Sequence, residues 1–417
     1  MSHRDLTDEA AYDRQRLAGL SRRALLRLTA GLGAAAALSA TAGGLAVAGE
    51  RQATIVKPLP PELFIPHGTN AEMRWEAMRG QGHLVPNDRF FVRNHTGTPR
   101  IDAHTWRLRL FGTGLHGTPT RDRPVEFSYE DLLGMPAETT TAFVECAGNG
   151  RSFYGSQQGT PAPGTPWTLG GVGVARWRGV RLATVLERAG LTEAAVDVLP
   201  SGLDPEFVEG GANLGRVRRP LPVAKALRDT LLAYEMNGEP LPPDHGFPVR
   251  LIVPSWTGIS SIKWVGEIEV ADRPLFSPWN TQFYRLFGPS YPQEGSAPLT
   301  NQVTKSAFEL PSEARLAVGR THLLTGRSWS GAGVGRVRGV RISVDGGASW
   351  RPAHPRRLSR DQAWLPWSFA WRPERSGAYT LLAAASDSTG ATQPREVPFN
   401  RFGYLFGAVV RHPVMVG

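Results

Sequence analysis

Glycine and proline punctuate this chain at irregular intervals, 47 and 34 of its 417 residues, and that spacing decides what it can become. Both interrupt regular structure, glycine through its backbone freedom and proline through its fixed φ and missing N–H. Without a collagen-like period or a low-complexity tail, they mark many turns between short strands, not disorder. Hydrophobic residues at 41% and charged residues at 20% are ordinary for a globular chain and supply a sizeable core. That core must form without internal disulfides, because Cys146 is the one cysteine present. The length suggests two domains or slightly more.

Local patterns place the elements. Trp106, Leu108 and Leu110 alternate with Arg107 and Arg109, which predicts a strand. In "SYEDLLGMP", Ser128 followed by Asp131 three residues on predicts an N-capped short helix. "TTAFVECAGNG" reads as a strand that breaks into a turn. "RLATVLERAG" puts Leu182, Val185, Leu186 and Ala189 on one face with Gly190 as its stop, and "LPVAKALRD" predicts a second helix. "LLAYEMNGEPL" is a strand entering an Asn237-Gly238 turn. "FPVRLIVPSW" and "SIKWVGEIEV" read as further strands. Residues 50–85 are Pro-rich and read as an irregular arm. From about residue 299 the pattern is strand and turn only, which predicts a β-sandwich of roughly a hundred residues.

The basic excess, 47 Lys+Arg against 37 Asp+Glu, fits a solvated basic surface or an anionic ligand. Nucleic acid is disfavoured, because no Lys/Arg run with interleaved aromatics and no zinc-finger spacing occurs. Near the N-terminus, Arg22 and Arg23 precede a mild Ala/Gly/Leu stretch, and Ala46-Val47-Ala48 offers a small-residue cleavage site. Those features predict a Tat signal over residues 1–48, with a periplasmic or extracellular mature protein; an uncleaved membrane anchor is the other reading. No other stretch is long and apolar enough to span a bilayer.

The motifs "FVRNH", "ECAGNGRS", "ARWRGVRL", "AYEMNG", "DHGFPVRLIVP", "SIKW" and "WSGAG…VRISVDGGASW" occur together in an order that resembles the sulfite oxidase family of molybdenum enzymes, from about residue 60 to the C-terminus. The resemblance implies an α+β fold, with a mixed molybdopterin-binding catalytic domain over 86–298, preceded by the arm at 49–85. An all-β immunoglobulin-like dimerisation domain would occupy 299–417. It implies a molybdenum–molybdopterin cofactor and a homodimer. By resemblance, Cys146 binds molybdenum through its thiolate, a soft ligand that must be deprotonated to coordinate. Gly148 and Asn149 are expected to turn the backbone so that Cys146 faces a pocket.

The remaining site residues also come from motif matches. Arg93 and Arg151 match active-site arginines, Trp167 a pocket tryptophan, and Tyr284 a tyrosine near the metal oxo group. Asn94, His95, His245, Arg250, Ser261 and Lys263 match positions that hold the pterin. Taken alone, each of these residues has an ordinary structural explanation: ion pairing for the arginines, core packing for the aromatics, a structural role for the histidines. The chemistry suits the assignment, because sulfite is a small dianion and a guanidinium can bind two of its oxygens while always carrying charge.

Some positions depart from the family pattern. Gly150-Arg151 stands where paired arginines are common, "YGSQQGTPAPG" reads as an insertion before Trp167, and Ser255 and Ser260 replace a Gly and an Arg. A third substrate arginine could be Arg401 in "NRFGY", although its register is off by one. No C-x-x-C-H haem site occurs, so electrons are expected to pass to an external acceptor, a c-type cytochrome or oxygen. Oxidation of sulfite to sulfate is the leading expectation. The alternatives are action on another sulfur compound or reduction of sulfoxides on the same fold, and a non-enzymatic secreted binding protein. A neutral sulfoxide would not need clustered arginines.

Overall fold

Residues 54–331, 336–356 and 363–417 are described by the computed structural model. The twin-arginine segment and its cleavage site lie outside the described residues.

The alternation at Trp106–Leu110 is realised as the strand Arg107–Phe111, with Leu108 and Leu110 buried and Arg107 exposed. It pairs in parallel with Val265–Ala271, whose Ile268 and Val270 face the same core. Around this pair a five-stranded sheet runs in the order Leu221–Pro222, Asp197–Gly202, Val265–Ala271, Arg107–Phe111, Val125–Ser128. The helix Tyr129–Leu133 follows the last strand and is closed by the expected capping box between Ser128 and Asp131. Helices Leu182–Arg188 and Val223–Asp229 add Leu182, Val185, Leu186 and Ala226 to the same hydrophobic cluster. Gly190 stops the first of them at φ 87°.

A second sheet is antiparallel, and one of its strands runs directly into Cys146. Ala137–Glu145 pairs over its whole length with Val172–Arg181, which pairs in turn with Leu231–Met236. Asn237 and Gly238, at φ 58° and 90°, make the tight turn the sequence called for. Arg250–Ile252 pairs with the other edge segment of Leu231–Ala233. It is far shorter than "FPVRLIVPSW" suggested, and the following strand begins at Val265, not at Ser261. Ser255 and Trp264 adopt φ of 70° and 53°, a left-handed conformation that interrupts pairing and leaves Ser261–Trp264 free to line a cavity.

Residues 50–85 are not irregular throughout. Phe64–His67 and Asn70–Met73 form an antiparallel hairpin, followed by a 3-10 turn at Trp75–Met78. Buried Glu72 in this hairpin accepts hydrogen bonds from the backbone N–H of Thr168 and Gly170 at 3.0 and 2.8 Å, so the segment is built into the scaffold of the site.

The C-terminal strands form two packed sheets, ordered Lys305–Phe308, His322–Trp329, Leu365–Trp371, His354–Pro355 and Ala314–Leu316, His412–Val416, Gly377–Asp387, Val337–Ser343, Arg351–Pro352. Phe308, Trp367, Ile342 and Leu381 meet between them, giving the expected sandwich. This sandwich also closes the second sheet: Ala307, Trp329 and Trp364 share one hydrophobic cluster with Phe143, Val144 and Cys146. The fold is therefore α+β, a mixed sheet-and-helix unit followed by an all-β sandwich.

Candidate active site

Cys146 sits at the end of the long strand Ala137–Glu145, where its backbone N–H still donates to Gly171 O at 2.9 Å. The chain then turns, with Asn149 N–H donating to Cys146 O and Arg151 N–H to Gly148 O, each at 2.9 Å. The left-handed residue in this turn is Gly150, at φ 94°. Gly148 serves differently from the sequence expectation. A Cβ there would lie 2.4 Å from the Arg151 guanidinium, so any larger residue would have to displace the Arg151 side chain from its bonds to Phe402 O and Thr165 O. Asn149 is a tie: its amide donates to Glu145 Oε1 at 2.8 Å and its carbonyl oxygen accepts from Gly171 N–H at 2.9 Å.

Beneath this turn lies a buried ionic network that the sequence reading missed. Glu145 is fully buried and pairs with Lys305 Nζ at 2.7 Å. Its other oxygen accepts from Trp329 Nε1 at 2.9 Å, and Lys305 also donates to Asn149 O at 2.8 Å. Both Lys305 and Trp329 belong to the C-terminal sandwich, so the cysteine turn is clamped from the second unit.

Cys146 opens onto a cavity whose walls include Arg93, His95, His245, Arg250, Lys263 and Tyr284. Asn94 and Ser261 also line it. Arg93 lies within hydrogen-bonding reach of the Cys146 thiol. Burial opposes its charge, but Tyr284, Cys146 and Tyr404 outweigh that and raise its pKa further. Its Nη1 is buried without a partner. Tyr284 is buried at φ 55°; burial raises its pKa against the opposing charge of Arg93, so the phenol remains a donor. A tyrosine in the left-handed region is uncommon and costs on the order of 1 kcal/mol or more.

At the other walls the polar groups separate into scaffold and free valences. His95 Nε2 accepts from Trp279 Nε1 at 3.1 Å, which leaves Nδ1 as the protonated nitrogen. Burial, with Arg93 and Lys263 adding to it, holds this histidine well below its usual range. The same is true of His245, through burial and the charges of Lys57, Lys263 and Arg250, and its Nε2 is buried without a partner. Arg250 donates to His245 O and Ser261 O at 3.0 and 3.2 Å and packs over Trp177; burial pushes it down to about 9, still charged at neutral pH. Ser261 Oγ accepts from Val253 N–H at 3.1 Å, leaving its hydroxyl hydrogen to donate. Asn94 is largely spent, bonding Thr98 and receiving Lys263 Nζ. Burial, then Arg250, drives Lys263 well below its normal value against Asp244 and Asp204. An anionic guest would reverse that, because an opposite charge restores the protonated form.

Asp204 was not singled out from the sequence. It is 2% exposed, lines the cavity, and its Oδ1 has no partner; burial raises its carboxyl to about 6. The only local signal was an acid just past a buried strand, which is too common to identify a site.

Arg151, Trp167 and Arg401 are arranged differently from the others. Arg151 is buried, donates to Phe402 O and Thr165 O at 2.8 Å each, and lies over the Tyr404 ring. Trp167 packs in the cluster that holds Cys146, edge-on to Phe91 at 6.2 Å. Neither lines the cavity described above. Arg401 is exposed, and its backbone N–H donates to Phe287 O at 2.8 Å. The expected third arginine is therefore not delivered to the site; the ring of Tyr404, three residues on, stacks on Tyr284 instead.

An unpartnered donor on Arg93, an unpartnered ring nitrogen on His245, an unpartnered acceptor on Asp204 and a thiol at one end suit a large polar organic group joined to a thiophilic metal. A pterin offers both donors and acceptors on its rings, and its phosphate suits Lys263 and Arg250. This is the fit expected of a molybdopterin-binding oxidoreductase. Comparison with known proteins agrees. Residues 95–279 match the family described as the oxidoreductase molybdopterin binding domain. Chicken sulfite oxidase is 34% identical over 347 residues, covering 79% of this chain and 72% of that one. Mouse mitochondrial sulfite oxidase is 34% identical over 355 residues, 81% of this chain and 62% of that one, so the chain spans under two thirds of the mouse protein's length. The sulfane dehydrogenase SoxCD from Paracoccus pantotrophus superposes with a TM-score of 0.70 at 27% identity, over 85% of each chain. The chain belongs to the sulfite oxidase family, and molybdopterin is its cofactor.

Proposed function

We propose that the protein oxidises sulfite to sulfate and passes the electrons to an external acceptor, most simply a c-type cytochrome. Sulfite and water give sulfate, two protons and two electrons. When bound, the molybdenum–molybdopterin group supplies the oxygen-transfer and two-electron chemistry. Cys146 would hold the metal through its thiolate. His95, His245, Arg250, Ser261 and Lys263 would hold the pterin and its phosphate, with Asn94 positioning Lys263 and Asp204 accepting from ring N–H groups. Arg93, charged and with Nη1 unpartnered, would draw the anion toward the Cys146 end of the cavity. Tyr284 would donate its phenol hydrogen there. Arg151 and Trp167 would support this end from behind the wall.

The observation that carries this reading is the convergence of Cys146, Arg93 and Tyr284 on one cavity. The rest of the assignment follows the sequence reading: a Tat signal over 1–48, an arm at 49–85, a molybdopterin domain at 86–298, a dimerisation domain at 299–417, and a homodimer exported with its cofactor. No helix among the described residues is long and apolar enough to cross a membrane.

A second reading, oxidation of another reduced sulfur group, is favoured by one observation: Arg401 is exposed, so the site has fewer cations than a dianion would favour. An anaerobic assay of the molybdenum-loaded protein tests both. Sulfite and thiosulfate are offered in turn, with ferricyanide, cytochrome c or oxygen as acceptor. Turnover of sulfite with cytochrome c supports the first reading; turnover of thiosulfate alone replaces it with the second.

A further inference from the structure

Tyr404 comes from the C-terminal segment, yet its ring stacks on Tyr284 at 5.1 Å with an interplanar angle of 10°. Tyr284 is a wall of the cavity. The two phenols share their surroundings: the charges of Arg93, Cys146 and Arg151 act on both. Neither hydroxyl makes a hydrogen bond to the described residues; both rings are more than nine-tenths buried, yet neither hydroxyl oxygen is among the sealed, unpartnered atoms. A phenol held in the interior normally finds a partner, so two hydroxyls left unbonded but accessible near the Arg93 guanidinium are free to donate to a guest that supplies acceptors.

The loop that delivers Tyr404 is held to the cysteine turn. Arg151 Nε donates to Phe402 O at 2.8 Å, and its guanidinium lies 5.7 Å from the centre of the Tyr404 ring. Leu405 N–H donates to Ala147 O at 2.8 Å, next to Cys146 itself. Gly403 takes φ 59°, and a Cβ there would lie 2.6 Å from Arg151 Cγ and 2.8 Å from Ala162 Cβ. The seat of Tyr404 is thus built by Arg151, Gly403 and Asn400, whose side-chain oxygen accepts from Tyr404 N–H at 2.8 Å.

We infer that Tyr404 is a specificity residue of this site, donating its phenol hydrogen, alongside Tyr284 and Arg93, to an oxygen of a sulfur oxyanion. This rests on the proposed action on a sulfur oxyanion and extends it. A neutral donor from the second unit stands where a third guanidinium was expected, so at the Cys146 end the anion is held by Arg93 and two phenols. Arg151 is the positioning residue that aims Tyr404.

The test uses the cofactor-loaded full chain. Inorganic sulfate, as product, is titrated calorimetrically against wild type, Tyr404→Phe, Gly403→Ala and the double variant, and sulfite KM and kcat are measured on the same preparations. Losing one hydrogen bond to an anionic oxygen is expected to weaken sulfate binding and raise sulfite KM by about tenfold. The change in kcat should be far smaller, with molybdenum content and Tm held. Gly403→Ala should raise KM in the wild-type background and add little in the Tyr404→Phe background, since both act through one hydroxyl. Sulfate Kd and sulfite KM within about twofold of wild type in Tyr404→Phe would overturn the role of Tyr404. A wild type that neither binds sulfate nor oxidises sulfite would instead remove the parent reading, and this inference with it.

Discussion

Replacing Arg93 with glutamine separates anion recognition from scaffolding. Arg93 Nη1 makes no hydrogen bond to the chain, and the group its guanidinium approaches is the Cys146 thiol, so the substitution orphans no backbone or carboxylate acceptor and stability should change little. The loss should fall on the anion. A charge-assisted hydrogen bond contributes about 1.5–3 kcal/mol, and two unit charges about 4 Å apart interact by about 4 kcal/mol at the effective dielectric of a partly exposed protein site. These overlap, so we expect a loss of about 2–4 kcal/mol, a thirtyfold to thousandfold drop in kcat/KM for sulfite. An exposed surface arginine would contribute only about 0–1 kcal/mol, so the magnitude itself distinguishes a site residue from a solvated one. The assay is steady-state turnover of the cofactor-loaded protein with sulfite, and with a small neutral sulfoxide if it reduces one. The neutral substrate should keep most of its rate. Equal losses for both would show that Arg93 supports cofactor or fold. No loss for sulfite would remove it from the site and favour a less charged substrate.

Cys146→Ser should abolish turnover while retaining part of the pterin, because oxygen is a harder and poorer donor than thiolate; near-native sulfite oxidation would refute the ligand assignment. Asp204→Asn should stabilise the cofactor-free protein at neutral pH. Burial raises the carboxyl of Asp204 from the ordinary carboxylate range to about 6, so the folded state holds the proton longer than the unfolded one. Its contribution is favourable below the unfolded pKa and is lost as pH rises through about 6, on the order of 3 kcal/mol. Thermal unfolding of the cofactor-free protein at pH 4 and pH 8 should show that fall flattened in the variant, with weaker pterin retention. Lys305→Met should lower Tm and molybdenum content, since it strands the carboxylate of Glu145 in the interior at a cost of about 3–5 kcal/mol. The double variant Glu145→Gln with Lys305→Met should recover most of the loss, and equal Tm values for single and double variants would refute the ion-pair reading. Arg22→Lys with Arg23→Lys should leave the protein in the cytoplasm with its molybdenum; normal export, followed by fractionation and metal analysis, would end the Tat reading.

What the sequence determined by itself was local. The strand at Arg107–Phe111, the capping box at Ser128, the helix stop at Gly190 and the Asn237-Gly238 turn each depend on residues within a few positions of one another, and there periodicity and turn chemistry suffice. The order of its motifs also carried the family, the cofactor and most cavity residues, because "FVRNH", "ECAGN", "DHGFPVR" and "SIKW" are contiguous. Tertiary structure alone decided the rest. Lys305 reaches Glu145 across 160 positions, and Arg151 reaches Phe402 across 251; no pattern in either stretch forecasts such a partner. The same holds for Asp204, an ordinary acid until burial leaves one oxygen unpaired beside a cavity. Arg401 and Tyr404 show the limit most directly. Both are near the expected position, but Gly403 at φ 59° turns the chain between them, leaving the arginine exposed while the tyrosine stacks on Tyr284. Long-range packing sets that rotation, and with it which side chain can meet the anion.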